Sequence, residues 1–179
     1  MEYNMIFAGF GGQGVLLAGQ LVAEAGMNKG KNVTWMPSYG PEMRGGFANC
    51  SVVVSDEVIG TPIVSNPDIL IAMNQPSLDL FGPRVASGGT IVYNSSLCKE
   101  APIRDDVTIV PLPCNEMAAS LEQPKAVNMP ILGAVMEITN FFNIDDIKAV
   151  MTEKFGEKRP HLIDVNLQAI ELGRKETKK

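Results

Sequence analysis

A short apolar strand pattern, Tyr3-Asn4-Met5-Ile6-Phe7-Ala8, runs directly into Gly9-Phe10-Gly11-Gly12-Gln13-Gly14 and from there into a helical pattern. No other stretch restricts the fold as much. Glycines placed in this way permit a tight turn, a close backbone approach and tight packing of the helix against its strand. Gly9, Gly11 and Gly14 match the spacing of a dinucleotide-binding turn. The acid that should grip a ribose about 20 residues later is missing, and Lys31, Asn32 and Trp35 to Ser38 stand there instead. The Lys-Ser/Thr pair of a nucleoside-triphosphate loop is also missing. Three readings of the loop stay open: a dinucleotide, another anionic group held by helix N–H donors, or tight turning alone. Gln13 adds an amide able to donate to a phosphate or a carbonyl.

Residues 3–8 read as a buried strand, 13–29 as a helix ended by Gly30, and 33–36 as a second strand stopped by Pro37. This predicts a right-handed βαβ unit with the glycine loop at the carboxyl end of the sheet. Residues 38–46 hold too much glycine and proline for a regular element. A strand over 47–54 is expected to run back antiparallel, and strands are expected over 68–73, 89–94 and 107–111, the last closed by Pro111 and Pro113. Asn74 is placed to cap a short helix over 75–81. The remainder reads as helices: one capped by Asn115, one over 127–142, one from Asn143 or Asp145, and one over 161–172 closed by Gly173. The expected fold class is α/β, a Rossmann-like mixed, mostly parallel sheet flanked by helices, with a helical C-terminal part.

The 179 residues read as one domain, 1–179, with a substantial core. No apolar run nears the roughly 20 residues that cross a bilayer. No secretion signal is read ahead of the first strand, so the expectation is a cytoplasmic protein without a membrane partner. A net charge of -5, with the largest group of basic residues in the Arg174-Lys175 and Lys178-Lys179 tail, argues against a nucleic-acid surface. Cys50, Cys98 and Cys114 form no C-x-x-C unit and read as buried thiols. No nucleophile–base pair emerges, and His161 reads as a capping or surface residue. No catalytic residue and no metal ligand is therefore assigned. Arg44 offers a rigid donor fork suited to phosphate or carboxylate. It either faces the crevice of the glycine loop or pairs with Glu42 or a partner subunit.

Gly9-Phe10-Gly11-Gly12-Gln13-Gly14-Val15, Ser38-Tyr39-Gly40-Pro41-Glu42-Met43-Arg44-Gly45-Gly46 and Ala48-Asn49-Cys50-Ser51-Val52 together resemble the gamma subunit of the 2-oxoacid:ferredoxin oxidoreductases. Pro67-Asp68, Ala72-Met73-Asn74-Gln75-Pro76, Gly88-Gly89 and Asn166-Leu167-Gln168-Ala169 extend the resemblance over nearly the whole length. The Pro41-to-Gly46 loop looks most like the 2-oxoglutarate members.

The resemblance implies a non-catalytic gamma-type domain in a multisubunit enzyme. That enzyme would convert a 2-oxoacid and coenzyme A to an acyl-CoA and carbon dioxide and pass electrons to ferredoxin. The implied partners are alpha and beta subunits, with a delta subunit as a further candidate; ferredoxin is met indirectly. Thiamine diphosphate and iron–sulfur clusters are implied on those partners, with none firmly bound here. The candidate cofactor-binding residues are Gly9, Gly11, Gly12, Gln13, Gly14, Ser38 and Arg44, through a contact with coenzyme A. Two alternatives stay open: a branched-chain 2-oxoacid or indolepyruvate enzyme, and a stand-alone ligand-binding or assembly protein.

Overall fold

The computed structural model describes residues 1–40, 45–156 and 160–178. The elements run β1 (Glu2–Phe10), α1 (Val15–Asn28), β2 (Asn32–Tyr39), β3 (Phe47–Ser55), β4 (Ile69–Ala72), α2 (Gln75–Phe81), β5 (Thr90–Asn94), β6 (Thr108–Leu112), α3 (Cys114–Ser120), α4 (Met129–Thr139), α5 (Ile144–Phe155) and α6 (Pro160–Thr177). Each strand grows from a β-branched or apolar run bounded by glycine, proline or asparagine, as its composition favours. The strand, helix and strand order of the sequence pattern is present.

The sheet itself corrects the Rossmann-like, mostly parallel expectation. Its order is β2-β3-β1-β4-β5-β6. β1, β4, β5 and β6 pair in parallel, but β3 lies between β1 and β2 and is antiparallel to both. β2 therefore never bonds to β1, as the second strand of a βαβ unit of adjacent strands would. The physical reason lies in the short connection between β2 and β3. A connection of that length suits an antiparallel return, whereas a parallel neighbour needs a crossover of a dozen residues or more. β3 is also the more apolar of the two strands, with Cys50, Val52, Val53 and Val54 all buried, so it takes the inner position. β2, with exposed Asn32, Met36, Ser38 and Tyr39, takes the edge.

Edges also explain two prolines that were expected to end strands. Pro37 lies within β2, opposite Cys50, and Pro111 lies within β6, opposite Tyr93. Both strands are outermost, where a missing backbone donor can face away from the ladder.

The two faces of the sheet are covered unequally. On one, Met5, Phe7, Cys50, Val52, Val54, Ile69 and Ile71 pack beneath apolar residues of α1, α4, α5 and α6. On the other, Ile6, Ala8, Leu70, Ala72, Ile91 and Tyr93 are covered by Leu78 and Phe81 of α2, with Val85 and Cys98. Burying such aliphatic and aromatic side chains contributes about 1.5–3 kcal/mol apiece. Asn74 caps α2, its Oδ1 accepting from the Ser77 N–H at 2.9 Å. Asn143 and Asp146 close a reciprocal capping box at the start of α5. α3 begins at Cys114 after Pro113 rather than under an Asn115 cap. The Asn115 side chain instead accepts from Asn94 Nδ2 at 2.9 Å. Gly173, expected to close the last helix, lies inside α6; its role is packing.

Candidate functional site

The six residues from Gly9 to Gly14 form the rim where β1 ends and α1 begins. Gly11 N–H donates to Gly46 O at 2.9 Å, and Gly45 N–H to Gly11 O at 3.4 Å. The rim is thus tied to the turn that precedes β3. Gly14 is the N-cap of α1, with a left-handed φ of 75°. A Cβ at Gly14 would also stand 2.5 Å from Asn128 Nδ2, so space and backbone angle both demand glycine. The amide of Asn128, a residue nearly buried at the foot of α4, donates to Gly14 O at 3.1 Å.

Gln13 turns inward. Its Oε1 accepts from the Phe10 N–H at 2.7 Å and from Asn74 Nδ2 at 2.9 Å, while its Nε2 donates to Met73 O at 3.2 Å. The parallel ladder of β1 and β4 reaches Met73 N–H to Ala8 O at 2.9 Å. Its next rung would join Phe10 N–H to Met73 O. The Gln13 amide sits between those two groups and satisfies both, so a side chain takes the place of a backbone rung where the strands part. Gly9 leaves room for it, since a Cβ there would stand 2.7 Å from Gln13 Oε1.

The first intrahelical bond of α1 is Ala18 N–H to Gly14 O at 3.0 Å. The N–H groups of Val15, Leu16 and Leu17 precede it. Among the described residues no side-chain cap bond is made to them and no acid stands in the first turn of α1, so the positive end of the helix dipole faces the rim. A cleft opens on each side of the loop. One, of about 230 Å³, is apolar, with Phe10, Val15, Leu16, Tyr39 and Phe47 in its wall. Tyr39 and Phe47 are half exposed, and Phe47 meets Phe10 edge-on at 5.6 Å. The other, of about 510 Å³, runs from Gly12, Gln13 and Gly14 past Lys125 and Asn128 to Asn166. Lys154 lines it too and is paired with Glu24 at 2.7 Å. Lys125 is exposed. Amide donors, a helix start and a lysine around one cleft suit an anionic group.

The seven residues proposed from the sequence do not all converge. Gly9, Gly11, Gly12, Gln13 and Gly14 share the rim. Ser38 is exposed on β2 and, by strand alternation, lies on the sheet face opposite Trp35 and Tyr39. Arg44 and Glu42 lie outside the described residues. Asn128 was missed; its one signal was a short amide immediately ahead of the Met129-Pro130 helix start. Asn74 was found as a cap, but its bond to Gln13 was not foreseen.

The three cysteines are buried and free. Burial pushes the Cys50 and Cys114 thiols up to about 12 and that of Cys98 to about 11. Among the described residues no three His, Cys, Asp or Glu side chains converge as a metal site. The thiols therefore do not fit an iron–sulfur cluster, which needs about four convergent sulfur ligands. No helix among the described residues is long and apolar enough to cross a membrane.

Comparison with known proteins places these features in company. A family described as pyruvate ferredoxin/flavodoxin oxidoreductase matches residues 4–176. The chain is 38% identical over 173 residues to the ketoisovalerate oxidoreductase subunit VorA of Methanothermobacter thermautotrophicus, covering 96% of this chain and 36% of that protein. Among solved structures, a keto/oxoacid ferredoxin oxidoreductase gamma subunit from Geobacter sulfurreducens superposes with a TM-score of 0.81 at 26% identity, covering 98% of each chain. A 2-oxoglutarate:ferredoxin oxidoreductase from Magnetococcus marinus, with 2-oxoglutarate, coenzyme A and succinyl-CoA bound, superposes with a TM-score of 0.89 at 26% identity. It is covered over 31% of its chain, against 99% of this one. The chain thus spans about a third of the length of the Methanothermobacter and Magnetococcus relatives.

Proposed function

This chain belongs to the pyruvate ferredoxin/flavodoxin oxidoreductase family, among its gamma-type chains, and on that premise we propose that it is the non-catalytic gamma component of a 2-oxoacid:ferredoxin oxidoreductase. The assembled enzyme would turn a 2-oxoacid, coenzyme A and oxidised ferredoxin into acyl-CoA, carbon dioxide and reduced ferredoxin. The observation that carries the reading is the family match over residues 4–176, nearly the whole chain. Alpha and beta subunits, with a delta subunit where the complex has one, would bring thiamine diphosphate, which supplies the carbon–carbon cleavage chemistry, and the clusters that move electrons. The described residues of this chain offer no ligand set for a cluster.

What the chain would contribute is a binding rim. The uncapped start of α1, the open glycine loop and Lys125 in the adjoining cleft fit the phosphates of coenzyme A. The Magnetococcus relative, which holds coenzyme A, supports that choice over a dinucleotide. Ser38 and Arg44 join the proposal as residues of the neighbouring β2–β3 segment. Two substrates have specific support. The Pro41-to-Gly46 motif favours 2-oxoglutarate, and the 38% identity to a ketoisovalerate oxidoreductase subunit favours a branched-chain 2-oxoacid.

The test is anaerobic purification of the tagged chain from its own cells, followed by coenzyme A-dependent dye reduction with 2-oxoglutarate, 2-oxoisovalerate and pyruvate. Co-purifying thiamine and iron–sulfur subunits, with turnover of a 2-oxoacid, is the expected result. A chain that emerges alone and inactive while the intact enzyme withstands the procedure overturns it. Arg44→Ala and Lys125→Ala should each raise the coenzyme A KM of the complex, and an unchanged KM for both removes the rim contact.

A further inference from the structure

The amide of Gln13 is oriented without ambiguity. A backbone N–H can only donate and a backbone carbonyl only accept, so Phe10 fixes Oε1 and Met73 fixes Nε2. The same logic orients Asn74, whose Oδ1 must accept from the Ser77 N–H and whose Nδ2 must then face Gln13. Asn74 is 4% exposed. The two side chains therefore form a directed relay across the end of the sheet. It runs from the glycine rim on the α1 side to the start of α2 on the other.

From this geometry we infer that Gln13 and Asn74 are a positioning pair: they hold the glycine rim in its ligand-facing conformation and do not themselves contact the ligand. The inference deepens the reading above and rests on the rim being the ligand-facing surface. Among the described residues the loop has few other restraints. Gly12 adopts a φ of 98°, and the rim's other ties there are Gly11 with Gly45 and Gly46, Gln13 N–H with Phe10 O, and Asn128 Nδ2 with Gly14 O. The wedge of Gln13 between Phe10 and Met73 keeps the ends of β1 and β4 apart by the width of one amide. Losing it frees three buried or half-buried backbone and side-chain partners at once, and such networks act together rather than as independent pairs.

Asn74→Asp separates this role from ordinary helix capping. Aspartate caps as well as asparagine, so the bond from Ser77 survives, but the donor to Gln13 is replaced by an acceptor. Hydrogen exchange of the full chain would be followed at residues 8–14 and along α2, alongside steady-state kinetics of the assembled complex. The expected result is exchange at Phe10 to Gly12 faster by about tenfold, with α2 protection kept, as the loss of one well-made bond to a buried partner implies. In the complex the coenzyme A KM should rise severalfold while kcat stays within about twofold, a split that general destabilisation would not give. Gln13→Glu keeps the acceptor toward Phe10 and Asn74 but loses the donor to Met73, and it serves if Asn74→Asp fails to fold. Unchanged exchange at residues 10–12 in a folded variant overturns the inference. Faster exchange with an unchanged coenzyme A KM upholds the positioning pair and instead removes coenzyme A from the rim.

Discussion

Gly173 of α6 lies so close to Pro130 of α4 that a Cβ added to the glycine would fall 1.9 Å from the Pro130 carbonyl oxygen. The contact is reciprocal, because a Cβ on Gly133 of α4 would fall 2.0 Å from Ile170 O of α6. Two glycines thus let the helices touch backbone to backbone, which brings α6 down over the core and sets the far wall of the larger cleft.

Replacing Gly173 or Gly133 by alanine should therefore destabilise the chain by about 3 kcal/mol or more, since backbone cannot give way as a flexible side chain can. Gly60→Ala is the control, because its Cβ would meet nothing within 4 Å. It should change stability by less than about 0.5 kcal/mol. Urea unfolding of the three variants checks the contrast, and a mild Gly173→Ala would contradict the packing described.

Asn143→Ala removes the acceptor for the Asp145 and Asp146 N–H groups at the start of α5, bonds of 2.9 and 3.1 Å. A loss of about 1 kcal/mol is expected, most of it restored by Asn143→Ser. Equal losses for alanine and serine would assign the effect to something other than capping.

The Arg104 guanidinium holds Asp106 down to about 2 and also donates to Gly82 O and Val85 O at 3.2 and 3.1 Å. An unfolded aspartate titrates near about 3.9. Because the folded value is the lower one, the stabilisation is present above about pH 4 and disappears as pH falls through about 2. Thermal midpoints of the wild type and Asp106→Asn should differ at pH 6 and converge toward pH 2. A constant gap across that range would show that the ion pair is not its source.

Native thiols should be inert. With values near 11 and 12, Cys98, Cys50 and Cys114 are thiolate to about one part in a thousand or less at pH 8. A chromogenic disulfide reagent should find no reactive thiol in the native chain and three after denaturation. Rapid native labelling of any of the three would show that its burial is not maintained in solution.

Most element positions were legible in the sequence, because strand and helix patterns express short-range periodicity and glycine, proline and asparagine mark their ends. The Asn74 cap could be read in the same way, as a local bond between residues three apart. What misled was position within the sheet. Pro37 and Pro111 looked like strand ends because nothing in a linear pattern says that a strand will lie at an edge. Gly173 looked like a terminator because its real constraint, the Pro130 carbonyl, is 43 positions away in the chain. At the rim, the glycine spacing was visible and Gln13 was read as an amide able to donate to a phosphate or a carbonyl, but that its partners would be Phe10, Met73 and Asn74 was not legible.

The sequence by itself determined that a strand, a glycine turn and a helix would stand in succession, since that depends on backbone angles and side-chain periods available within a few residues. Only the tertiary structure decided that β3 rather than β2 would lie beside β1, and that Gln13 would complete a β1–β4 rung. Both depend on which distant groups reach the two edges of β1, β3 along one and β4 along the other, where each unpaired backbone donor and acceptor must find a partner.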